Sequence, residues 1–241
     1  MAVAFLMGTA IAVGFWGGVV LLFVFTPFAA RMHRNYRRLW HAAASAMLTC
    51  AQLRETDLRQ VAVVARTSEW DMRSWTELTI HHWEPNPHDK GTFSHSVTSK
   101  STKGRIVIKD DTGTALLAEE LAIRSLTLTS NPLAATTHRK WNEDDDSNQF
   151  HETTWQVARG VPVFVIGSLT HDDDGTPRLY CGGSGMPGDP RSGGTSTDAP
   201  DVVVARLIAC DSRWAGIAGT SALIGLSVTS IALVLTILGM R

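Results

Sequence analysis

Apolar and polar residues divide this chain into three parts, with an apolar segment at each end and a polar middle. Met1–Ala30 contains no charged side chain, and Trp214–Met240 forms an uncharged run between Arg213 and Arg241. A helix of either length exceeds the ~30 Å that the hydrocarbon core of a bilayer requires. The pattern predicts two transmembrane helices, residues 1–30 and 214–240, that flank one extramembrane domain.

The second apolar run carries small residues at alternating steps of three and four, which places them along one side of a helix. They are Ala215, Ala218, Ala222, Gly225, Thr229, Ala232, Thr236 and Gly239. Small residues let helix backbones approach closely in lipid, where packing and interhelical hydrogen bonds drive association. We therefore predict a helix-packing interface here, with either the first apolar helix or another transmembrane subunit as partner.

Basic residues follow the first apolar run directly, and residues 31–50 are predicted to form a basic juxtamembrane helix. The residues expected to set topology at the membrane surface are Arg31, Arg34, Arg37, Arg38, Trp40, Arg213 and Trp214. By the positive-inside rule, the middle domain should face the cytoplasm or the matrix-equivalent side, with both termini opposite. The expected location is a bacterial inner membrane or an organellar inner membrane, with membrane lipids as partners.

The middle of the chain alternates short β-branched runs with turn residues, which predicts a β-rich domain over residues 51–210. The predicted strands are Gln60–Arg66, Trp75–His82, Arg105–Lys109, Thr114–Ala118, Ile123–Thr129, Thr153–Val157, Val163–Leu169, Leu179–Cys181 and Val202–Leu207. No long helical pattern separates them, so a small barrel or sandwich in an α+β membrane protein is the expected fold class.

Turn and loop residues separate these strands. Asp111-Thr112-Gly113 and Asp174-Gly175 predict hairpin turns with a positive φ at each glycine. Residues 182–200 are rich in Gly, Pro, Ser and Thr, which predicts a flexible loop.

Two stretches combine an apolar strand with a glycine: "IVIKDDTGTALL" at Ile106–Leu117 and "VARGVPVFVIGSL" at Val157–Leu169. They resemble the GIDE-type domain, also called the beside-a-membrane domain, of the membrane-anchored ubiquitin ligases of mitochondria and chloroplasts and their prokaryotic relatives. The layout of a β-rich domain between two apolar helices resembles that family as well. The ligases continue into a zinc-binding RING domain that this sequence does not contain, so the resemblance implies a protein-binding module without ligase activity.

One sequence pattern suggests proteolysis. Asp111-Thr112-Gly113 resembles the Asp-Thr-Gly of aspartic proteases, where two carboxylates share a proton, so a single copy would have to dimerise. The polar residues Lys109 and Asp110 precede it in place of apolar ones, which favours a hairpin turn.

Histidines cluster in one part of the polar region, at His81, His82, His88 and His95. A zinc or copper site needs three or four converging ligands, whereas adjacent residues of a strand point to opposite faces. Surface histidines are therefore favoured over a metal site. Motifs for nucleotide binding, serine hydrolysis and zinc peptidases are absent from the sequence.

Composition narrows the function further. The formal net charge of −1 argues against nucleic-acid binding, and three scattered cysteines do not form a disulfide framework or a CxxC metal site. Eight tryptophans accompany only two tyrosines, and large aromatic residues with a polar group favour the core, protein interfaces or the membrane boundary. The sequence predicts a non-catalytic accessory or scaffolding subunit of a membrane complex of respiratory or photosynthetic type, without a cofactor or metal. The alternatives are a free-standing regulatory module related to the GIDE-type ligases and, at lower weight, a dimeric aspartic protease that uses Asp111.

Overall fold

The computed structural model describes residues 2–45, 47–68, 73–85, 93–101, 106–127, 129–142, 148–182 and 193–239. Its contacts divide the chain into two compact units. The helical unit comprises Met1–Trp40 and Val204–Arg241, and the β unit comprises His41–Val203.

The elements follow one another in a simple order. The helices are α1 (Ala2–Val20), α2 (Thr26–Ser45), α3 (Glu119–Ala122) and α4 (Pro200–Gly239). The strands are β1 (Met47–Leu48), β2 (Gln60–Thr67), β3 (Arg73–Pro85), β4 (Phe93–Ser101), β5 (Ile106–Lys109), β6 (Thr114–Leu117), β7 (Ala134–Asn142), β8 (Asn148–Val157), β9 (Pro162–His171), β10 (Pro177–Tyr180) and β11 (Gly194–Ser196).

The first helical segment passes through a proline without ending. α1 continues into a π-helix at Leu21–Phe25, and α2 follows directly. Pro27 lacks a backbone N–H and its ring crowds the carbonyl one turn earlier, so a wider π turn before it relieves the clash. The N–H and the hydroxyl of Thr26 both donate to the carbonyl of Leu21, the hydroxyl at 2.8 Å. The regions predicted as a membrane helix and a juxtamembrane helix are therefore one continuous helix up to Ser45.

Two helical stretches are long and apolar enough to cross a bilayer, Gly8–Ser45 and Pro200–Leu238. From Gly8 to Phe28 the rise is about 32 Å, close to the thickness of the hydrocarbon core. The prediction of two long apolar helices that flank a β-rich domain is confirmed at this level.

Five strands of the β unit close into a barrel. Its neighbours follow the order β2, β5, β6, β10, β9 and back to β2. The pairs are antiparallel except for β6 and β10, which run parallel. β9 returns beside β2 after the antiparallel run β2–β5–β6, which is a Greek-key connection. Of the predicted barrel and sandwich, the barrel is the one found.

Branched aliphatic side chains fill the barrel, because alternate residues of each strand point inward. The buried core includes Val61, Val63, Ile106, Ile108, Leu117, Val163, Val165 and Leu179. Leu121 of α3 is fully buried in the same core. A Cβ on Gly167 of β9 would lie 2.8 Å from the Leu121 side chain, so a glycine at that position makes room for the helix.

A second, four-stranded antiparallel sheet has the order β4-β3-β8-β7. Leu133, Ala134 and Val157 join the barrel core at one end of this sheet, and Trp155 packs against them. Residues 135–140 of β7 are exposed, so both faces of the sheet are open along that strand.

Several local predictions were wrong. Val202–Leu207 lies within α4, because Pro200 occupies the first helical position and the β-branched run continues into a long apolar helix. Most of Ile123–Thr129 is turn, with an isolated bridge at Ser125. Gly113 does not adopt a positive φ, whereas Gly175 does, at 76°. The predicted loop 182–200 contains the buried strand β11, and its residues 183–192 lie outside the described residues.

Candidate functional site

Glycines bring α1 and α4 into close contact inside the helical unit. A Cβ on Gly18 would meet the Thr229 side chain and would lie 3.0 Å from the carbonyl oxygen of Gly225. A Cβ on Gly225 would lie 2.8 Å from the side chain of Leu22. Only glycine permits this backbone separation at both positions, which is the packing expected of small residues between helices in lipid.

The structure places part of the predicted small-residue seam on this contact. Gly225 and Ala232 are buried, and Ala218, Ala222 and Thr229 are half-buried. Ala215 and Thr236 are exposed, and Gly239 is the last residue of α4. Sequence analysis missed Ser221, which is 7% exposed, and Val228, whose side chain lies 3.8 Å from the position that a Cβ on Gly14 would occupy.

Many large apolar side chains of the two apolar segments point outward. Those more than 60% exposed are Val13, Trp16, Phe23, Leu223 and Leu238. Each of these side chains would gain roughly 1.5–3 kcal/mol of transfer free energy by leaving water. With small residues between the helices and large apolar residues outside, the helical unit has a surface suited to lipid.

Polar side chains connect α2 and α4 near residues 26–40. The hydroxyls of Thr26 and Ser221 are 3.0 Å apart. Asp211 of α4 accepts a hydrogen bond from the indole N–H of Trp40 at 3.1 Å. Its other carboxylate oxygen lies 2.6 Å from Nδ1 of His33, although that contact is not aligned as a hydrogen bond. These contacts fix the register of the antiparallel pair.

The His33–Trp40–Asp211 cluster was not found from the sequence, although a signal exists. Asp211 is an acid next to a long apolar run, and such acids usually face a partner helix. Trp40 was predicted as a membrane-surface anchor, whereas its indole N–H donates to Asp211 within the helical unit.

The arginines predicted near the membrane surface remain exposed. Arg31, Arg34, Arg37 and Arg38 lie on one side of α2, and Arg213 is exposed on α4. The other side of α2 is buried at Asn35, Tyr36 and Leu39. Trp214 packs edge-to-face on Phe28 with ring centroids 5.8 Å apart, one residue from Arg213.

α4 also presents small residues on an open face. Gly216 and Gly219 have open space around the position that a Cβ would occupy. At the other end of the helical unit, α1 and α4 border a shallow groove of about 500 Å³. It is lined by Gly8, Ile11, Ala12, Phe15, Trp16, Leu233, Leu235 and Thr236.

In the β unit, the most connected polar group is Asp110, which immediately precedes the predicted Asp-Thr-Gly. Its carboxylate accepts hydrogen bonds from the N–H of Cys50 at 2.7 Å, the N–H of Thr112 at 2.8 Å and the N–H of Gly113 at 3.0 Å. The Thr112 hydroxyl donates to it at 2.6 Å and accepts from the N–H of Ala51 at 3.1 Å. The β5–β6 turn is thereby attached to residues 50–51.

These contacts shift two pKa values. Burial alone would raise the pKa of Asp110, but the hydrogen bonds from Thr112, Cys50 and Gly113 outweigh it and lower the pKa. Burial and then the adjacent Asp110 carboxylate raise the pKa of the Cys50 thiol to about 12. Cys50 is therefore a protonated, unreactive core residue at neutral pH.

The protease hypothesis concerns Asp111, which the structure places at an exposed position of the β5–β6 turn. The carboxylate that accepts the turn hydrogen bonds is that of Asp110. A role of Asp111 in proteolysis stays a prediction.

The predicted histidine cluster is only partly described. His81 and His82 are consecutive residues inside β3, which continues to Pro85, so the strand does not end between them. His95 pairs with Trp83 in the register of β3 and β4, and His88 lies outside the described residues. Within the described parts of the chain, no group of three His, Cys, Asp or Glu side chains could hold a metal ion.

Comparisons with family models, curated proteins and solved structures find no match for the chain. The resemblance to the GIDE-type domain therefore stays a prediction from the sequence.

Proposed function

We propose that the chain is an integral membrane protein that crosses the bilayer twice as an antiparallel helix pair. The observation that supports this most is the inverted distribution of side chains in the helical unit. Gly18, Ser221 and Gly225 are buried, whereas Phe23 and Leu223 are 74% and 69% exposed. A water-soluble helix pair would place its large apolar side chains between the helices.

The charge distribution supports one orientation in that membrane. The exposed arginines lie at the end of the helix pair from which the chain enters and leaves the β unit. By the positive-inside rule this end faces the cytoplasm or the matrix-equivalent compartment, and Ala2 and Gly239 lie on the other side. The membrane is then a bacterial or organellar inner membrane.

The function that we propose is that of a non-catalytic accessory or scaffolding subunit in a larger membrane complex of respiratory or photosynthetic type. The open face at Gly216 and Gly219 supports this proposal, because it would let another transmembrane helix approach α4 closely. The groove between α1 and α4 offers a second apolar surface for a neighbouring subunit.

A second candidate is a free-standing regulatory module related to the GIDE-type ligases. The two stretches that carry the resemblance favour it, because Ile106–Leu117 forms the β5–β6 hairpin and Val157–Leu169 contains most of β9. Both belong to the barrel. Capture of a RING-bearing protein by crosslinking in membranes would favour this candidate over the accessory subunit.

Two experiments test the proposal. Alkaline carbonate extraction should leave the chain in the membrane pellet, and its release into the supernatant would contradict membrane insertion. The double variant Gly216→Leu, Gly219→Leu should stay in the pellet but lose its co-purifying subunits, because leucine fills the open face. Gly17→Leu is the matched control, since Gly17 of α1 also has open space around it. Co-purification that is unchanged in the double variant would contradict a subunit interface on α4.

A further inference from the structure

A group of five arginines lies at one end of the helix pair, and we call it the cationic belt. Its members are Arg31, Arg34, Arg37, Arg38 and Arg213. All five are exposed, and no carboxylate of the described residues lies within ion-pair distance of them. The only nearby acid of α4 in the helical unit, Asp211, contacts His33 and Trp40 instead. The belt is therefore an unneutralised positive surface.

The belt lies at a definite height along the helix pair. Arg31 follows Phe28 by less than one helical turn, and Phe28 packs on Trp214, the residue after Arg213. From Arg31 to Arg38 the helix rises only about 10 Å, which is close to the Debye length at physiological ionic strength. All five charges therefore fall within electrostatic reach of the surface of a bilayer that covers the apolar segments.

The orientation of the arginines also matters. At about 100° per residue, the four on α2 cover roughly one third of the helix circumference. The remainder of that circumference includes the buried residues Asn35, Tyr36 and Leu39, so the guanidinium groups are held away from the protein interior. Arg213 adds an exposed charge from α4.

We propose that the cationic belt binds the headgroups of anionic phospholipids in the bilayer that the helix pair crosses. This inference rests on the proposed membrane insertion. Guanidinium groups present a planar fork of donors that matches phosphate oxygens, and they stay charged at every physiological pH. Each arginine near an anionic surface contributes about a fivefold preference at low ionic strength.

The test uses the full chain reconstituted in phosphatidylcholine vesicles with a trace of spin-labelled lipid. The motionally restricted fraction is measured for spin-labelled phosphatidylglycerol and for spin-labelled phosphatidylcholine, and their ratio gives the anionic preference. The belt variant replaces four arginines by glutamine, which has a similar helix propensity. These are Arg31→Gln, Arg34→Gln, Arg37→Gln and Arg38→Gln.

The control variant removes the same number of charges from exposed arginines of the β unit. These are Arg54→Gln, Arg59→Gln, Arg66→Gln and Arg159→Gln. We expect the natural chain and the control to prefer phosphatidylglycerol about fivefold or more, and the belt variant, which keeps only Arg213 of the belt, to lose most of that preference. Salt at 0.5 M, on the order of three times physiological ionic strength, should weaken the preference by screening.

The outcomes separate this inference from the proposed function. A preference that survives in the belt variant, or one that falls equally in the control, overturns lipid binding by the belt. A natural chain that restricts both lipids equally overturns lipid binding by the belt. Loss of a co-purifying acidic protein from the belt variant would then assign the belt to a protein partner. If neither labelled lipid shows a restricted fraction, the chain is not inserted and the proposed membrane function fails as well.

Discussion

Replacing Asp110 with alanine removes the acceptor of the hydrogen bonds that fold the β5–β6 turn and attach it to Cys50. Cys50 is fully buried, so its N–H would lose its acceptor inside the protein. An unsatisfied buried donor costs about 1–3 kcal/mol. The donors of Thr112 and Gly113 lie at the surface and regain water, which limits their share to about 1 kcal/mol.

The expected loss of local stability is therefore about 3 kcal/mol, equivalent to a roughly 100-fold rise in the population of the open segment. Asp111→Ala is the matched control, because Asp111 is the next residue and its side chain is exposed. Exposed substitutions of this kind stay within about 0.5 kcal/mol.

Cys50 itself provides the assay. Because its thiol is buried and its pKa is raised to about 12, iodoacetamide should label it at neutral pH only when the segment opens. Mass spectrometry of the full chain in detergent would give the labelling rate at this residue. We expect about a 100-fold faster rate in Asp110→Ala and at most a threefold change in Asp111→Ala. Equal rates in the two variants would refute the role assigned to Asp110.

Three further predictions concern thermal unfolding of the full chain in detergent, followed by circular dichroism. Gly18→Ala should lower the free energy of unfolding by about 1–3 kcal/mol because its Cβ would collide with α4. The exposed Gly17→Ala should be neutral or slightly stabilising. Similar losses in the two variants would argue against close helix contact at Gly18. Asp211→Ala should lower the free energy of unfolding by about 1–3 kcal/mol, because the indole N–H of Trp40 loses its acceptor and His33 loses the adjacent carboxylate. The exposed Asp201→Ala should cost about 0.5 kcal/mol, and a reversed order would show that the cluster does not hold the helices. The folded pKa of Asp110 lies below its unfolded value of about 3.9, so its contribution is present above that pH and is lost as the pH falls through the folded pKa. The midpoint should therefore fall more steeply below about pH 4 in the natural chain than in Asp110→Asn, and parallel curves would contradict this.

The sequence predicted elements that depend on local pattern. The uncharged runs predicted two long apolar helices, and β-branched alternation predicted the barrel strands β2, β5, β6 and β9. β7 was missed because its exposed residues 135–140 lack apolar alternation, and its strand form depends on pairing with β8. Val202–Leu207 was misassigned for the opposite reason, since local β propensity was overridden by a long helix.

The candidate site residues also divide into those marked by local spacing and those that depend on contacts between distant parts of the chain. The spacing of small residues predicted a helix-packing interface on α4, and the structure places Gly225 and Thr229 of that set beside Gly18 of α1. The choice of Asp110 over Asp111 as the hydrogen-bonded carboxylate could not be predicted, because it depends on where residues 50–51 cross the turn. Long-range pairs such as Trp40 with Asp211 likewise require the register of the helix pair.

We propose that this chain is a subunit of a larger membrane complex. Native gel electrophoresis of gently solubilised membranes from the organism that makes the chain, followed by mass spectrometry of the band that contains it, tests this most directly. We expect comigration with a complex several times larger than the 26.2 kDa chain, with the same partner subunits in each preparation. Migration of the chain alone, at its own mass plus detergent, would contradict it.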